Sequence, residues 1–297
     1  MIRIRNLLVH RGEFNVDIQE LDLQGGRNFL IGRNGTGKTT ILSSIAGLIG
    51  SKGTVEVGGM DINSLPPERR RVGLIPQDLL LFGRMSVEEN LKTSIKYGRG
   101  DVKAYQDIVE EMKLGPLMKR RANELSLGQA QKVAIARAIV SRPVLLLMDE
   151  PFSFQDEIAR LGLISLIDEL SVRYGFEYLY ATHNPRDLEN GFSNIISIDN
   201  GKVVEVVDSL ERVEHFRTLS LLEYKNLVSM DGHYYLLDER AITFSDTEGS
   251  DYAVLGGSSG RYVRFKVDGS YFFASLNSAP KGKYLKLNLD GAREVQY

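Results

Sequence analysis

Glycines at 32 and 37 followed at once by Lys38 and Thr39 match G-x-x-x-x-G-K-[ST], the spacing of a loop that wraps phosphate groups. Glycines let the backbone turn its N–H groups inward, and the helix that follows directs its positive end at the same point. Lys38 would reach the β- and γ-phosphates of a nucleotide, and Thr39 would offer its hydroxyl to Mg²⁺. The whole stretch Asn34, Gly35, Thr36, Gly37, Lys38, Thr39 and Thr40 is the expected phosphate cradle. Farther on, Asp149 and Glu150 stand side by side after an apolar run, so Asp149 can help hold Mg²⁺ while Glu150 faces a water. Gln77 and His183 also close apolar runs, and Ser126, Gly128 and Gln129 open a helical one. Taken singly, these last read as capping or core side chains.

Chemistry at these positions requires elements that carry them. Asn28 to Ile31 is a short apolar strand entering the loop, and Ile41, Leu42, Ile45 and Leu48 have helical spacing after it. Val72 to Ile75, Val144 to Met148 and Tyr178 to Thr182 read as buried strands whose C-terminal ends bear Gln77, Asp149 with Glu150, and His183, where parallel sheets place ligands. Ser126 and Gln129 form a capping box ahead of a helix whose apolar face runs through Ala130, Val133, Ala134 and Ala138. From Ser86 to Lys119 apolar residues recur at three and four among charges, as in a helical insert. Ile2 with Ile4, Phe14 with Val16 and Ile18, and Thr54 to Val57 alternate with polar residues, predicting an antiparallel layer. Ile195 to Ile198 and Val203 to Val206 flank Asn200-Gly201, a hairpin turn.

Composition narrows the classes. Lys plus Arg is 37 against 39 for Asp plus Glu, a net charge of −2, without the basic surplus of a nucleic-acid binder. The 297-residue chain has 42% hydrophobic residues, ample for a core, and no cysteine, which excludes disulfides and thiolate metal sites. No run approaches the roughly 18 apolar residues of a membrane span, and the start lacks a signal-peptide core. The expectation is a soluble cytoplasmic chain.

In order and spacing, Gly32 to Thr39, Gln77, Leu125 to Gln129, Leu145 to Glu150 and His183 resemble the nucleotide-binding subunit of ABC transporters. The resemblance covers about residues 1–206 and implies an α/β P-loop NTPase domain, with a helical subdomain at about 86–140. It implies ATP as ligand, Mg²⁺ as its metal, and a homodimer with two ATP molecules sandwiched between facing subunits. Gln77 would touch Mg²⁺ and the attacking water, Asp149 would be the metal-associated aspartate, Glu150 the general base or water-positioning carboxylate, and His183 the switch histidine on the γ-phosphate. Thr39 and Gln77 would join Asp149 at the metal. Ser126, Gly128 and Gln129 would close over the ATP held by the opposite subunit, and Asp156 would end the D-loop. Departures occur at Leu127, where the family usually has Gly, and at the adenine-stacking position, for which Arg11 and Phe14 are both candidates, with a core role also open to Phe14. A third is Gly83, where importers often carry Pro.

Beyond residue 220 the texture changes to alternating runs separated by Asp231-Gly232, Asp268-Gly269 and Asp290-Gly291. These predict a small antiparallel β-barrel over 221–297, similar in placement to the TOBE domain of importer ATPases, with a ligand-sensing or a purely dimerising role. The resemblance therefore implies an importer ATPase serving a separate membrane permease and, indirectly, an external substrate-binding protein, with an oxyanion such as molybdate or tungstate, or a sugar, as cargo. The chain would sit on the inner membrane face, the permease docking between the Gln77 to Arg84 loop and the helical insert. The alternatives are a soluble non-transport ABC ATPase and an exporter subunit.

Overall fold

The computed structural model describes residues 1–97, 102–152, 157–183, 185–188 and 192–208, and strand segments between 227 and 295. The elements in chain order are β1 (Ile2–Arg11), β2 (Phe14–Leu23), β3 (Arg27–Ile31), α1 (Lys38–Ala46), β4 (Lys52–Val57), β5 (Met60–Asp61), β6 (Val72–Ile75), α2 (Val87–Tyr97), α3 (Val102–Glu111), α4 (Leu127–Val140), β7 (Leu145–Asp149), α5 (Glu157–Tyr174), β8 (Glu177–Thr182), β9 (Asn194–Asp199) and β10 (Lys202–Val207).

The central sheet has the order β10-β9-β3-β8-β7-β6, parallel except for the β9–β10 hairpin. Strand periodicity splits its side chains between two cores. On one face Leu30, Leu145, Leu147, Leu179, Ala181, Ile196 and Ile198 meet Ile41, Leu42 and Ile45 of α1 and the apolar face of the antiparallel sheet β2-β1-β4-β5. On the other, Phe29, Ile31, Leu146, Met148, Tyr178 and Tyr180 pack against Val87, Leu91, Ile108, Val133, Ile135, Ile139, Ile164 and Ile167 of α2 to α5. Being covered on both faces is why β7 is apolar without alternation until Asp149. β6 is an edge strand, with residues alternating between half-buried and buried, so the fully buried strand expected there is corrected.

Local rules explain the helix starts. Ser86 and Glu89 exchange side-chain and backbone bonds ahead of α2 at 2.7 and 3.1 Å. Ser126 and Gln129 do the same ahead of α4, at 3.1 and 3.4 Å, the predicted capping box. The C-terminal end of α1 carries no basic residue of its own, and Arg70 donates instead to the Ser44 and Ile45 carbonyls at 2.8 and 3.0 Å. Asn200 and Gly201, with φ of 48° and 74°, make the β9–β10 turn that their types predict.

The later strands are β11 (Leu227–Met230), β12 (His233–Leu236), β13 (Ile242–Ser245), β14 (Tyr252–Ser259), β15 (Tyr262–Val267), β16 (Ser270–Ser275), β17 (Tyr284–Leu287) and β18 (Arg293–Val295). They form antiparallel sheets β11-β12-β18 and β13-β17-β14-β15-β16. The expected hairpins across 231–232 and 268–269 are present in the pairings Met230↔His233 and Val267↔Ser270. The third is corrected: among the described residues β17 and β18 belong to different sheets and do not pair with each other. The three Asp-Gly pairs themselves lie outside the described residues, as does Asp156.

Candidate functional site

The loop between β3 and α1 is shaped by close approach. A side chain at Gly32 would place Cβ 2.6 Å from Thr36 Oγ1 and 2.7 Å from the Ile198 carbonyl. Gly37 has φ +107°, which L side chains rarely adopt, and a Cβ there would meet the Phe14 ring at 3.0 Å. As N-cap of α1, Gly37 supplies no side-chain acceptor, and the first turn holds no acidic residue. The helix N–H groups are thus not taken by a protein carboxylate or hydroxyl cap, the arrangement that suits a phosphate.

Lys38 begins α1 and is 6% exposed. Its Nζ donates to the Gly32 and Arg33 carbonyls at 2.7 and 3.3 Å and lies 3.0 Å from Glu150 Oε1. The other Glu150 oxygen is 2.7 Å from His183 Nδ1. Glu150 sits at φ +47°, in the left-handed region, where a non-glycine residue costs about 1 kcal/mol or more. That conformation is clamped from several sides. The Glu150 N–H donates to Ala181 O at 3.0 Å, Gln131 Nε2 of α4 donates to Pro151 O at 2.7 Å, and Phe152 packs edge-on to Tyr180 with centroids 5.9 Å apart.

Asp149 is buried at the end of β7. Burial pushes its carboxyl above the usual carboxylate range; the Thr39 hydroxyl bonded to it opposes that shift, the Glu150 charge adds to it, and Lys38 opposes it. Thr39, Asp149 and the Gln77 amide are hard oxygen donors, which fits Mg²⁺, an ion usually held by one or two protein carboxylates with substrate phosphates completing the shell. Among the described residues there is no group of three or more His, Cys, Asp or Glu poised to hold a metal. The protein donors thus suit a metal that arrives with phosphate.

These residues share one cleft of about 670 Å³, lined by Asn34, Gly35, Gly37, Lys38, Thr39 and Thr40, by Gln77, Asp149, Glu150 and His183, and by Arg11 and Phe14. Thr36, predicted in the cradle, is instead buried, its hydroxyl donating to Arg33 O at 2.8 Å, so its side chain shapes the loop from within. Ser126, Gly128 and Gln129 do not line the cleft, and Leu127 beside them is 46% exposed. Phe14 does two jobs: it lines the cleft, and it packs against the core beneath β1 and β2 and over Gly37. Sequence reasoning missed a buried group behind His183, made of Thr182, Tyr180, Asp187 and Arg160. Its signal was the three hydroxyl residues Tyr178, Tyr180 and Thr182 at alternate positions of β8, whose buried hydroxyls require partners.

An α/β sheet with a phosphate loop at the C-terminal ends of its parallel strands, and carboxylates at the end of β7, two places along the sheet from the loop's own strand β3, defines a P-loop nucleotide-binding fold. A family model described as ABC transporter matches residues 18–153. The thiamine import ATP-binding protein of Jannaschia sp. is 31% identical over 209 residues, covering 69% of this chain and 91% of that protein. The chain belongs to the ABC transporter ATP-binding family. A molybdate/tungstate import ATP-binding protein of Pyrococcus horikoshii is 33% identical over 214 residues, 70% of this chain and 62% of that protein. A molybdenum import ATP-binding protein of Mesorhizobium japonicum is 37% identical over 209 residues, 66% of this chain and 55% of that protein. The chain thus spans about three fifths or less of those two relatives. A solved dimeric bacterial ABC transporter cassette superposes with a TM-score of 0.61 at 25% identity, covering 70% of this chain and 98% of that one.

Proposed function

We propose that the chain is the ATP-binding and ATP-hydrolysing subunit of an ABC importer that energises uptake through a separate membrane permease. The observation that carries this reading is the meeting of Lys38, Thr39, Gln77, Asp149, Glu150 and His183 in one cleft. The import names of the relatives support the direction of transport, and two of the three carry a molybdate- or molybdenum-type cargo, the favoured oxyanion class here. Residues 1–206 make up the nucleotide-binding domain, with its helical part at about 86–140, and 221–297 a regulatory or dimerising β-domain.

Hydrolysis joins a water oxygen to the γ-phosphorus and breaks the bond to the β,γ-bridging oxygen, releasing ADP and phosphate. Lys38 and the N–H groups at the start of α1 hold the phosphate charge. To do so Lys38 exchanges the Glu150 carboxylate for phosphate oxygens, which frees Glu150 to accept a hydrogen bond from the water. His183, already paired with the other Glu150 oxygen, steadies that carboxylate and the γ-phosphate. Thr39, Gln77 and Asp149 are the residues that would hold Mg²⁺, which would supply neutralisation of the phosphate charge. Ser126, Gly128 and Gln129 act on the ATP of a second copy, which is supported by their lying outside their own cleft and by the dimeric cassette above.

The permease docks in a second hollow, bordered by Leu80, Phe82, Met85, Tyr97 and Arg137 between the loop after β6 and helices α2 and α4. Leu80, Phe82 and Tyr97 are 60, 50 and 70% exposed, an apolar patch suited to a partner. An external substrate-binding protein acts through that permease, and the chain sits on the inner membrane face by this contact. Co-purification tests the reading. The wild-type chain should retain a membrane permease and Phe82→Glu should release it. A chain that hydrolyses ATP yet carries no membrane partner would favour a non-transport ATPase.

A further inference from the structure

The last residue of β8 and its two neighbours have three different attachments. Ala181 O accepts the Glu150 N–H at 3.0 Å, Thr182 Oγ1 donates to Asp187 Oδ2 at 2.5 Å, and His183 Nδ1 lies 2.7 Å from Glu150 Oε2. A period of two places Tyr180 and Thr182 on one face of the strand; the Thr182 hydroxyl bonds the Asp187 carboxylate, and the Tyr180 hydroxyl interacts with the same carboxylate electrostatically. Asp187, in the short turn Pro185–Leu188, is 1% exposed, and its Oδ1 is 2.6 Å from Nε of Arg160 on α5, itself 7% exposed. Tyr180 carries the Phe152 ring on the same core, so this face of β8 also braces the turn that presents Glu150.

A carboxylate this deep is held against the pull of burial, which raises its pKa, by the Thr182 hydroxyl, the Arg160 guanidinium and the Tyr180 hydroxyl. A buried ion pair is seldom more stable than apolar side chains of the same volume, so stability alone is a weak reason for it. Neither Asp187 nor Arg160 lines the cleft. What the pair does is fix the backbone one residue before His183, and connect it to α5 on the opposite side of the network. Resting on the hydrolytic reading above, we propose that Asp187, Arg160 and Thr182 form a positioning unit that sets His183 against Glu150 and ties that pair to α5.

The test uses the full chain and single substitutions at the hydroxyl link. Thr182→Val keeps shape and loses the donor; Thr182→Ser keeps the donor. Thr182→Val should lower kcat for MgATP about tenfold or more, within the roughly hundredfold that a displacement of 1 Å produces, with Kd for MgATP unchanged. Thr182→Ser should restore kcat. Wild-type kcat in Thr182→Val, or a loss that Thr182→Ser fails to restore, would overturn the proposal. The double variant Arg160→Met with Asp187→Leu removes the ion pair without stranding a charge, and should fold with a Tm no lower than wild type yet show the same loss of kcat. A folded double variant with full turnover would also overturn it. His183→Ala run in parallel separates the two levels of the argument. Inactive His183→Ala beside fully active Thr182→Val refutes the positioning unit alone, whereas fully active His183→Ala refutes the role given to His183 and the unit with it.

Discussion

Lys38 Nζ lies 3.0 Å from Glu150 Oε1, and with exposures of 6 and 11% the two charges neutralise each other away from water. One member is the cation of the phosphate loop, the other the proposed base. Their pairing makes nucleotide arrival and base release a single exchange: phosphate oxygens take Lys38, and Glu150 keeps His183. Neither group can do both jobs at once.

Lys38→Ala follows directly. It removes the cation among the phosphates and takes from Glu150 its Lys38 counter-charge beside the γ-phosphate. Equilibrium binding of a fluorescent ATP analogue should fall at least about tenfold, the equivalent of ~1.4 kcal/mol, and turnover should be lost. Near-normal hydrolysis would refute the assignment of the phosphate site.

Asp149 sets function against stability. Its pKa in the folded chain is raised, chiefly by burial, so the folded state binds more protons than the unfolded one between the two pKa values. Stability therefore falls as pH rises through that window. Asp149→Asn should raise Tm at pH 7 by about 2 °C, about 1 kcal/mol for a chain of this size. The same variant should lose Mg²⁺-dependent ATP turnover. A lowered Tm in thermal denaturation would show that the charge is better compensated than its burial implies.

Much of this site was legible before the fold was seen, because its chemistry is local in sequence. Gly32, Gly37, Lys38 and Thr39 declare a phosphate loop by spacing, and Ser126 with Gln129 declares a helix start. What spacing could not give was tertiary. The ion pair of Lys38 and Glu150 joins the start of α1 to the turn after β7, and nothing in the spacing around Asp187 links it to Thr182 five residues earlier or to Arg160 on α5. Thr36 fits the motif by position, yet turns its hydroxyl into the loop. Asp290-Gly291 had the composition of a hairpin turn, but strand pairing is decided by the partner sheet.

Leu127 stands where the family usually has glycine, exposed beside Ser126 and Gly128 on the face proposed to meet a second subunit. A bulky side chain there hinders close approach over the partner's ATP. Leu127→Gly should raise the MgATP-driven dimer fraction in sedimentation velocity. A lowered fraction would mean that Leu127 packs favourably against the partner, and no change would show the departure to be neutral.

Glu150→Gln tests the central claim most directly. The substitution preserves shape but removes the base and the counter-charge of Lys38, so phosphates no longer compete with a carboxylate for that cation. MgATP should bind at least as tightly as in wild type and accumulate in a stable dimer. Single-turnover hydrolysis should slow at least about a hundredfold, in line with the ~10²- to 10⁴-fold contribution of a general base. The decisive measurement is single-turnover MgATP hydrolysis by the purified variant, run beside size-exclusion chromatography. Slow hydrolysis with an ATP-held dimer is the predicted result, and wild-type turnover would contradict the account and move the catalytic role away from Glu150.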